Sequence, residues 1–164
     1  MSTPTAEIRA ARNDDADAIV ALLGPYVLQE IVLPRTADEI RKSIGNFLVA
    51  TAGHRVVGAV AVRDFGDGLQ EIRSLVVSPE CTGAGLGSRL VDAAVSLAAQ
   101  RDATRVFALT MRPRLFARQG FESVDMDLFP QKVWSDCVKC PKRDRCDEVA
   151  VQLQLPTSDE KPRG

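Results

Sequence analysis

Residues 77–90 read V-S-P-E-C-T-G-A-G-L-G-S-R-L, with glycine at three alternate positions, Gly83, Gly85 and Gly87. Before this stretch, residues 69–78 (LQEIRSLVVS) are largely apolar and β-branched and are stopped by Pro79, the pattern of a strand. After it, Leu90, Val91, Ala94, Val95, Leu97 and Ala98 recur at helical spacing across residues 88–99. The glycines therefore join a strand to a long helix. Lacking Cβ atoms, they let the main chain turn sharply and come close to a ligand. The first turn of a helix adds free N–H groups and partial positive charge. Together these suit an anion such as a diphosphate, and Ser88 adds a hydroxyl donor. A Walker loop would end in Gly-Lys-Ser/Thr, and Gly87-Ser88 carries no lysine. A dinucleotide fingerprint opens an early parallel unit with an acid about 20 residues on, whereas this loop comes in mid-chain. On the glycines alone, a tight strand-to-helix turn without a ligand stays open as a reading.

Upstream, the Asn13-Asp14-Asp15 cluster is a helix N-cap signal. Ala16, Ile19, Val20, Leu22 and Leu23 then keep helical spacing up to Gly24-Pro25. Thr36, with Glu39 three residues on, has the capping-box pattern of a second helix that runs out near Gly45-Asn46. Residues 47–51, 55–63 and 69–78, separated by turns at Gly53-His54 and Gly66-Asp67-Gly68, predict an antiparallel meander. Downstream, residues 105–110 (RVFALT) predict a strand, and 114–119 a short helix with Pro113 in its first turn. A last strand is predicted at 149–155. The expected fold is α/β: a mixed, mostly antiparallel sheet flanked by helices, one domain over residues 1–156, then a polar disordered tail at 157–164.

The bulk properties exclude several classes. An apolar fraction of 45% is enough for a proper core, and a net charge of −1 lacks the basic excess of a nucleic-acid-binding protein. No apolar run reaches the roughly 18 residues of a membrane span, and the opening Met-Ser-Thr-Pro-Thr lacks the layout of a secretory signal. A cytoplasmic protein with no nucleic-acid or membrane partner is expected. Cys137-x-x-Cys140 with Cys146 supplies one CxxC unit where strong zinc sites pair two. These cysteines read as loop thiols and no metal is expected, with zinc held also by Cys81 or Asp136, or redox chemistry, as the other readings.

The quoted stretch resembles the signature of the GNAT superfamily of N-acetyltransferases, Val-x-Pro-x-x-(Arg/Gln)-Gly-x-Gly-(Ile/Leu)-Gly-x-x-Leu, at every defined position but one. Thr82 stands where the family usually has Arg or Gln. Residues 116–121 (FARQGF) fit the family's aromatic-x-x-x-Gly-Phe element. The resemblance implies the GNAT fold and acetyl-CoA as cosubstrate. It implies that the main chain of Leu75, Val76 and Val77 pairs with the pantetheine arm. Thr82, Gly83, Ala84, Gly85, Leu86, Gly87 and Ser88 would hold the pyrophosphate. Phe116 takes the aromatic cofactor position where the family often has a proton-donating tyrosine. Having no proton to give, it leaves the departing thiolate to another group, to water or to itself. Glu71, eight positions before Pro79, is the general-base candidate, because many members place a catalytic glutamate there; the plainer reading is a solvated strand residue. Tyr26 reads as packing. His54 reads as an exposed turn residue, which leaves a Ser-His-Asp or Cys-His hydrolase without its base.

For the acceptor, Arg73 shares a strand face with Glu71, and arginine can bind a carboxylate through two parallel hydrogen bonds. Arg35, between the first two helices, and Arg112, after the strand end at Thr110, are further candidates. More narrowly, the chain resembles stand-alone bacterial N-acetylglutamate synthases. The residues that carry this are Leu33-Pro34-Arg35-Thr36, Glu71-Ile72-Arg73-Ser74-Leu75, Phe107-Ala108-Leu109-Thr110, and Lys132-Val133-Trp134 with the cysteine segment behind it. That resemblance implies acetylation of L-glutamate or L-glutamine at the start of arginine biosynthesis. Arg35, Arg73 and Lys132 would hold carboxylates, with Thr110 and Arg112 at the acceptor site and Trp134 shaping the pocket. Longer members carry a kinase-like domain for which this chain has no room, so arginine feedback would act on this domain itself; a homodimer is compatible with the resemblance. The alternatives are a GNAT enzyme for another amine, such as a protein N-terminus or a small molecule, and a non-catalytic acyl-CoA sensor.

Overall fold

A computed structural model describes residues 6–28, 36–81, 85–110, 112–125 and 149–155. In chain order the elements are β1 (Glu7–Ala10), α1 (Ala16–Leu28), α2 (Ala37–Lys42), β2 (Phe47–Ala52), β3 (Arg55–Gly66), β4 (Leu69–Val77), α3 (Leu86–Gln100), β5 (Arg105–Thr110), α4 (Pro113–Ala117), β6 (Glu122–Val124) and β7 (Val149–Gln154). The strands form one sheet in the order β1-β2-β3-β4-β5-β7-β6. Only β4 and β5 run parallel among the described pairs; the others are antiparallel. This is the mixed α/β architecture expected, with helix α3 as the crossover from β4 to β5.

The meander forms where the turn chemistry demands it. Gly66, Asp67 and Gly68 take φ of +86°, +54° and +80° in succession, a path that glycine follows with little steric cost. Thr36 caps α2 as its sequence predicts, its Oγ1 accepting a hydrogen bond from Glu39 N at 3.1 Å. Some details differ from expectation. Helix α1 does not stop at Gly24-Pro25 but runs on to Leu28 with Pro25 inside it. A proline ring normally clashes with the Cβ of the residue before it, and Gly24 has none. The short strands β1 and β6 also form at the two edges of the sheet, where pairing to one neighbour suffices.

The sheet buries both faces. On one side α3 and α4 cover Val57, Val60, Val62, Ile72, Val106, Ala108 and Val151, with Leu90, Val91 and Ala94 supplying the helix surface. On the other, Ile19 and Leu23 of α1 and Ile40 of α2 cover Phe47, Val49, Ala59, Ala61 and Val76. A smaller cluster of Leu69, Phe107 and Ala150 lies on that second side as well. Arg9 ties the edge strand to the start of α1: its Nη1 and Nη2 donate to Asp15 Oδ2 and Oδ1 at 2.8 and 3.1 Å. Arg12 N donates to the same carboxylate at 2.7 Å. The Arg9 hydrogen bond, more than the opposing desolvation, holds the Asp15 carboxyl below the ordinary carboxylate range, helped by the Arg12 N–H. No helix among the described residues is long and apolar enough to cross a membrane.

Candidate active site

The parallel pair at the middle of the sheet is short. Its rungs join Leu69 to Arg105, Gln70 to Val106 and Glu71 to Phe107. Beyond Glu71 the described ladder stops, although β4 stays paired with β3 through Val77 and β5 with β7 through Thr110. The two strands therefore diverge, and the inner edge of β4 borders a wedge. Main-chain edges of this kind accept an extended ligand by strand-like hydrogen bonding. Leu75, Val76 and Val77 lie along this part of β4, as the sequence reading requires.

A bulge shapes the same segment. The register with β3 passes from Ala61↔Arg73 to Ala59↔Val76, so β4 has one residue more than its partner there. Ser74 takes φ +55° within it, a conformation that costs a non-glycine residue on the order of 1–2 kcal/mol. The extra residue brings Arg73 and Val76 onto one face and sends Leu75 and Val77 to the α3 side, where they pack against that core. Nothing in the composition of residues 69–78 marks a bulge, and sequence reasoning missed Ser74.

The wedge points at the start of α3. Gly85 is the N-cap residue with φ +77°, and Arg89 N donates the first helical bond, to Gly85 O at 3.2 Å. The N–H groups of Leu86, Gly87 and Ser88 precede that bond and so belong to the unladdered first turn. The helix thus opens two residues earlier than the predicted 88–99, which places Gly87 inside its first turn. A Cβ on Gly87 would meet Leu115 of α4 at 3.6 Å, an ordinary contact, and its φ needs no glycine. Internal packing does not require a glycine there, and a helix-turn glycine costs about 0.5–1 kcal/mol relative to alanine. Thr82, Gly83 and Ala84 lie outside the described residues.

On the α1/α2 side of the wedge stands a charged group within an apolar face. Glu71 is 1% exposed, so the plainer reading of a solvated strand residue is incorrect. The flanking strands and the apolar clusters close over it. Arg73 Nη1 lies 3.6 Å from Glu71 Oε1, and the arginine side chain is 11% exposed. Sequence reasoning also passed over Arg63, which sits on β3 directly across from Glu71. Its only signal in the sequence is a cation closing an otherwise apolar run, and the cross-strand register is needed to place it.

The remaining candidates distribute unevenly. Thr110 ends β5, and by alternation with Val106 and Ala108 its side chain belongs to the α3 side, opposite Glu71 and Arg73. Its Oγ1 accepts from Arg112 N at 2.8 Å, holding the turn into α4, and Arg112 itself is exposed. Phe116 is buried edge-to-face against Phe121, with ring centroids 5.3 Å apart. Ser88 lies half-buried in the first turn of α3, and His54 is an exposed turn residue. Tyr26 lies in α1. Arg35, Lys132, Trp134, Cys137, Cys140 and Cys146 lie outside the described residues, as does the tail. Cys81 is a half-buried free thiol, and the described residues hold no group of three or more His, Cys, Asp or Glu able to bind a metal.

This arrangement can hold an extended ligand along β4 with its anionic part at the start of α3, and can present a carboxylate and a cation to a second reactant on the other side. Residues 43–123 match the acetyltransferase (GNAT) domain family. An uncharacterised N-acetyltransferase of Chlorobaculum tepidum is 38% identical over 90% of this chain and 96% of its own length. An amino-acid acetyltransferase of Mycobacterium tuberculosis is 33% identical over 72% of this chain and 69% of its own. Among solved structures, N-acetylglutamate synthase from Neisseria gonorrhoeae, complexed with coenzyme A and N-acetyl-glutamate, superposes with a TM-score of 0.82 at 26% identity. That match covers 94% of this chain and 36% of the other.

Proposed function

The chain belongs to the GNAT family of acetyl-CoA-dependent N-acetyltransferases, and from that premise we propose that its acceptor is a free amino acid, L-glutamate or its amide L-glutamine. The observation that carries the reading is the Glu71–Arg73 pair, a buried carboxylate and a carboxylate-binding cation on one face beside the wedge. Similarity to the mycobacterial amino-acid acetyltransferase supports it, as does the N-acetyl-glutamate held by the gonococcal synthase.

On this reading the N–H groups of Leu86, Gly87 and Ser88, with the loop from Thr82, bind the pyrophosphate of acetyl-CoA. The β4 edge at Leu75–Val77 aligns the pantetheine arm. Arg73 takes a carboxylate of the acceptor, assisted by Arg35 and Lys132, with Trp134 and Arg112 completing the acceptor side; Thr110, on the opposite face, holds the turn that carries Arg112. Glu71 receives a proton from the acceptor's ammonium. The freed amine attacks the thioester carbonyl carbon; a C–N bond forms, the C–S bond breaks, and coenzyme A leaves as a thiolate. The attacking nitrogen then sheds its second proton, and because Phe116 has no proton to offer, water relays that proton to the thiolate. The chain needs no covalent intermediate and no metal for these steps. The product feeds arginine biosynthesis in the cytoplasm, with arginine itself the candidate feedback effector.

The test is a thiol-release assay with acetyl-CoA over free L-glutamate, L-glutamine, neutral amino acids and a short peptide. Turnover confined to glutamate or glutamine is expected. Turnover of the peptide or of neutral amines with glutamate refused would make it a GNAT enzyme for another acceptor. Coenzyme A binding with no turnover on any amine would make it a sensor.

A further inference from the structure

The acceptor reading uses Arg73 and leaves Arg63 aside, yet the two arginines flank the same carboxylate. Arg63 and Glu71 are direct partners across β3 and β4, and such partners share a face with Cβ atoms about 5 Å apart. Arg73, two residues along β4, is on that face too, so Arg63 and Arg73 are diagonal neighbours at about 7–8 Å. The Arg63 guanidinium carbon lies 4.5 Å from the centroid of Phe65. That ring is in turn 5.7 Å from Phe107, the β5 residue of the last parallel rung. A guanidinium stacked on a packed ring is held in place before any ligand arrives. It leans away from Arg73, toward the closed end of the wedge. The face therefore carries two cations set at an angle about one carboxylate, one across the strand pair and one along β4.

An amino dicarboxylate presents the complementary charges: two carboxylates about one ammonium. We propose that Arg63 is a specificity-determining residue that binds the side-chain carboxylate of a dicarboxylic amino acid. Arg73 then takes the α-carboxylate. The assignment follows from reach. The α-carboxylate is one carbon from the amine and must stay near Glu71, as Arg73 does at 3.6 Å. The side-chain carboxylate lies farther out, where Arg63 leans toward Phe65. The inference rests on the amino-acid acceptor reading and narrows it to the diacid over its amide.

Steady-state kinetics of Arg63→Gln and Arg63→Lys, with L-glutamate, L-glutamine and acetyl-CoA each varied, test it. Arg63→Gln should raise the KM for L-glutamate about 10- to 100-fold, the loss of one charged hydrogen-bond partner. The values for L-glutamine and acetyl-CoA should stay within about two-fold. Arg63→Lys, which keeps the charge, should recover part of the preference for glutamate. Equal changes for glutamate and glutamine, zero included, would overturn the proposal, since a merely structural arginine affects both acceptors alike. A measurement on the unaltered protein guards against variants that fail to fold. It should bind N-acetyl-L-glutamate more tightly than N-acetyl-L-glutamine in the presence of coenzyme A, and equal affinity overturns the assignment. If the unaltered protein turns over neither amino acid, the acceptor reading itself fails and this inference with it; if it does and Arg63→Gln is silent, only this inference fails.

Discussion

Replacing Glu71 by glutamine removes a proton acceptor and a charge while leaving the volume of the site unchanged. Glu71 is 1% exposed, so no bulk water stands at hand to take over its task. A positioned base contributes about 10²- to 10⁴-fold to a rate, or about 2.7–5.4 kcal/mol at 1.36 kcal/mol per factor of ten. The expected fall in kcat/KM at neutral pH lies in that range. The structural cost is smaller. The Glu71–Arg73 separation of 3.6 Å is longer than a good hydrogen bond, and an amide oxygen still faces the guanidinium. Stability should therefore drop by about 1–2 kcal/mol, well short of the 3–5 kcal/mol for stripping a partner from a tight buried pair. Initial rates of thiol release across the pH range, thermal melts and calorimetric titration with acetyl-CoA separate these effects. In the variant, log kcat/KM should rise with a slope of about one while the acceptor's ammonium stays protonated, because bulk solvent must then remove the proton. Acetyl-CoA affinity should hold. Turnover within about three-fold of the unaltered protein, or a parallel pH profile, would refute the base assignment.

Four further substitutions probe the frame around the site. Leu90 is fully buried and its Cδ1 lies 3.0 Å from where a Cβ on Gly58 would sit. Leu90→Ala should cost about 2–5 kcal/mol in denaturant unfolding, and Gly58→Ala about 1–3 kcal/mol by overpacking, with the pair together costing less than their sum. Gly68→Ala should cost about 1–3 kcal/mol, because φ there is +80° and a Cβ would lie 2.6 Å from Thr104 Oγ1. Asp15→Asn tests pH linkage: a carboxyl whose native pKa is depressed stabilises the fold above its unfolded value and loses that contribution as pH falls through the native one. The stability difference between Asp15→Asn and the unaltered protein should therefore be largest at neutral pH and vanish in acid, read by urea unfolding at a series of pH values.

Much of the fold was readable from local chemistry. The β2–β4 meander, the β5 strand and the Thr36 cap all rest on patterns within a few residues, and each formed close to its predicted place. What escaped reading depends on partners far along the chain. Pro25 stays inside α1, three residues short of its end at Leu28, where local rules usually end a helix. The bulge at Ser74 follows from the β3 register, and the residues on either side carry no sign of it. Arg63 acquires meaning only when β3 is laid against β4. The burial of Glu71 likewise reflects what folds over the strand, and its own segment gives no hint of it.

Among the described residues, the main-chain seam between a four-stranded half, β1 to β4, and a three-stranded half, β5, β7 and β6, is made of the three parallel rungs and the hydrogen bonds that Thr104 N and Arg105 N donate to Gly68 O at 2.8 and 3.1 Å. Elsewhere the halves adhere through side chains, above all those of α3 and the residues it covers on both sides of the seam. A molecule bonded along the free edge of β4 would act as a staple, replacing rungs the strands do not make. Occupancy and resistance to unfolding should then rise together, following the logarithm of free ligand over its dissociation constant, and amide exchange at Ile72–Val76 and Ala108–Thr110 should slow when coenzyme A is bound.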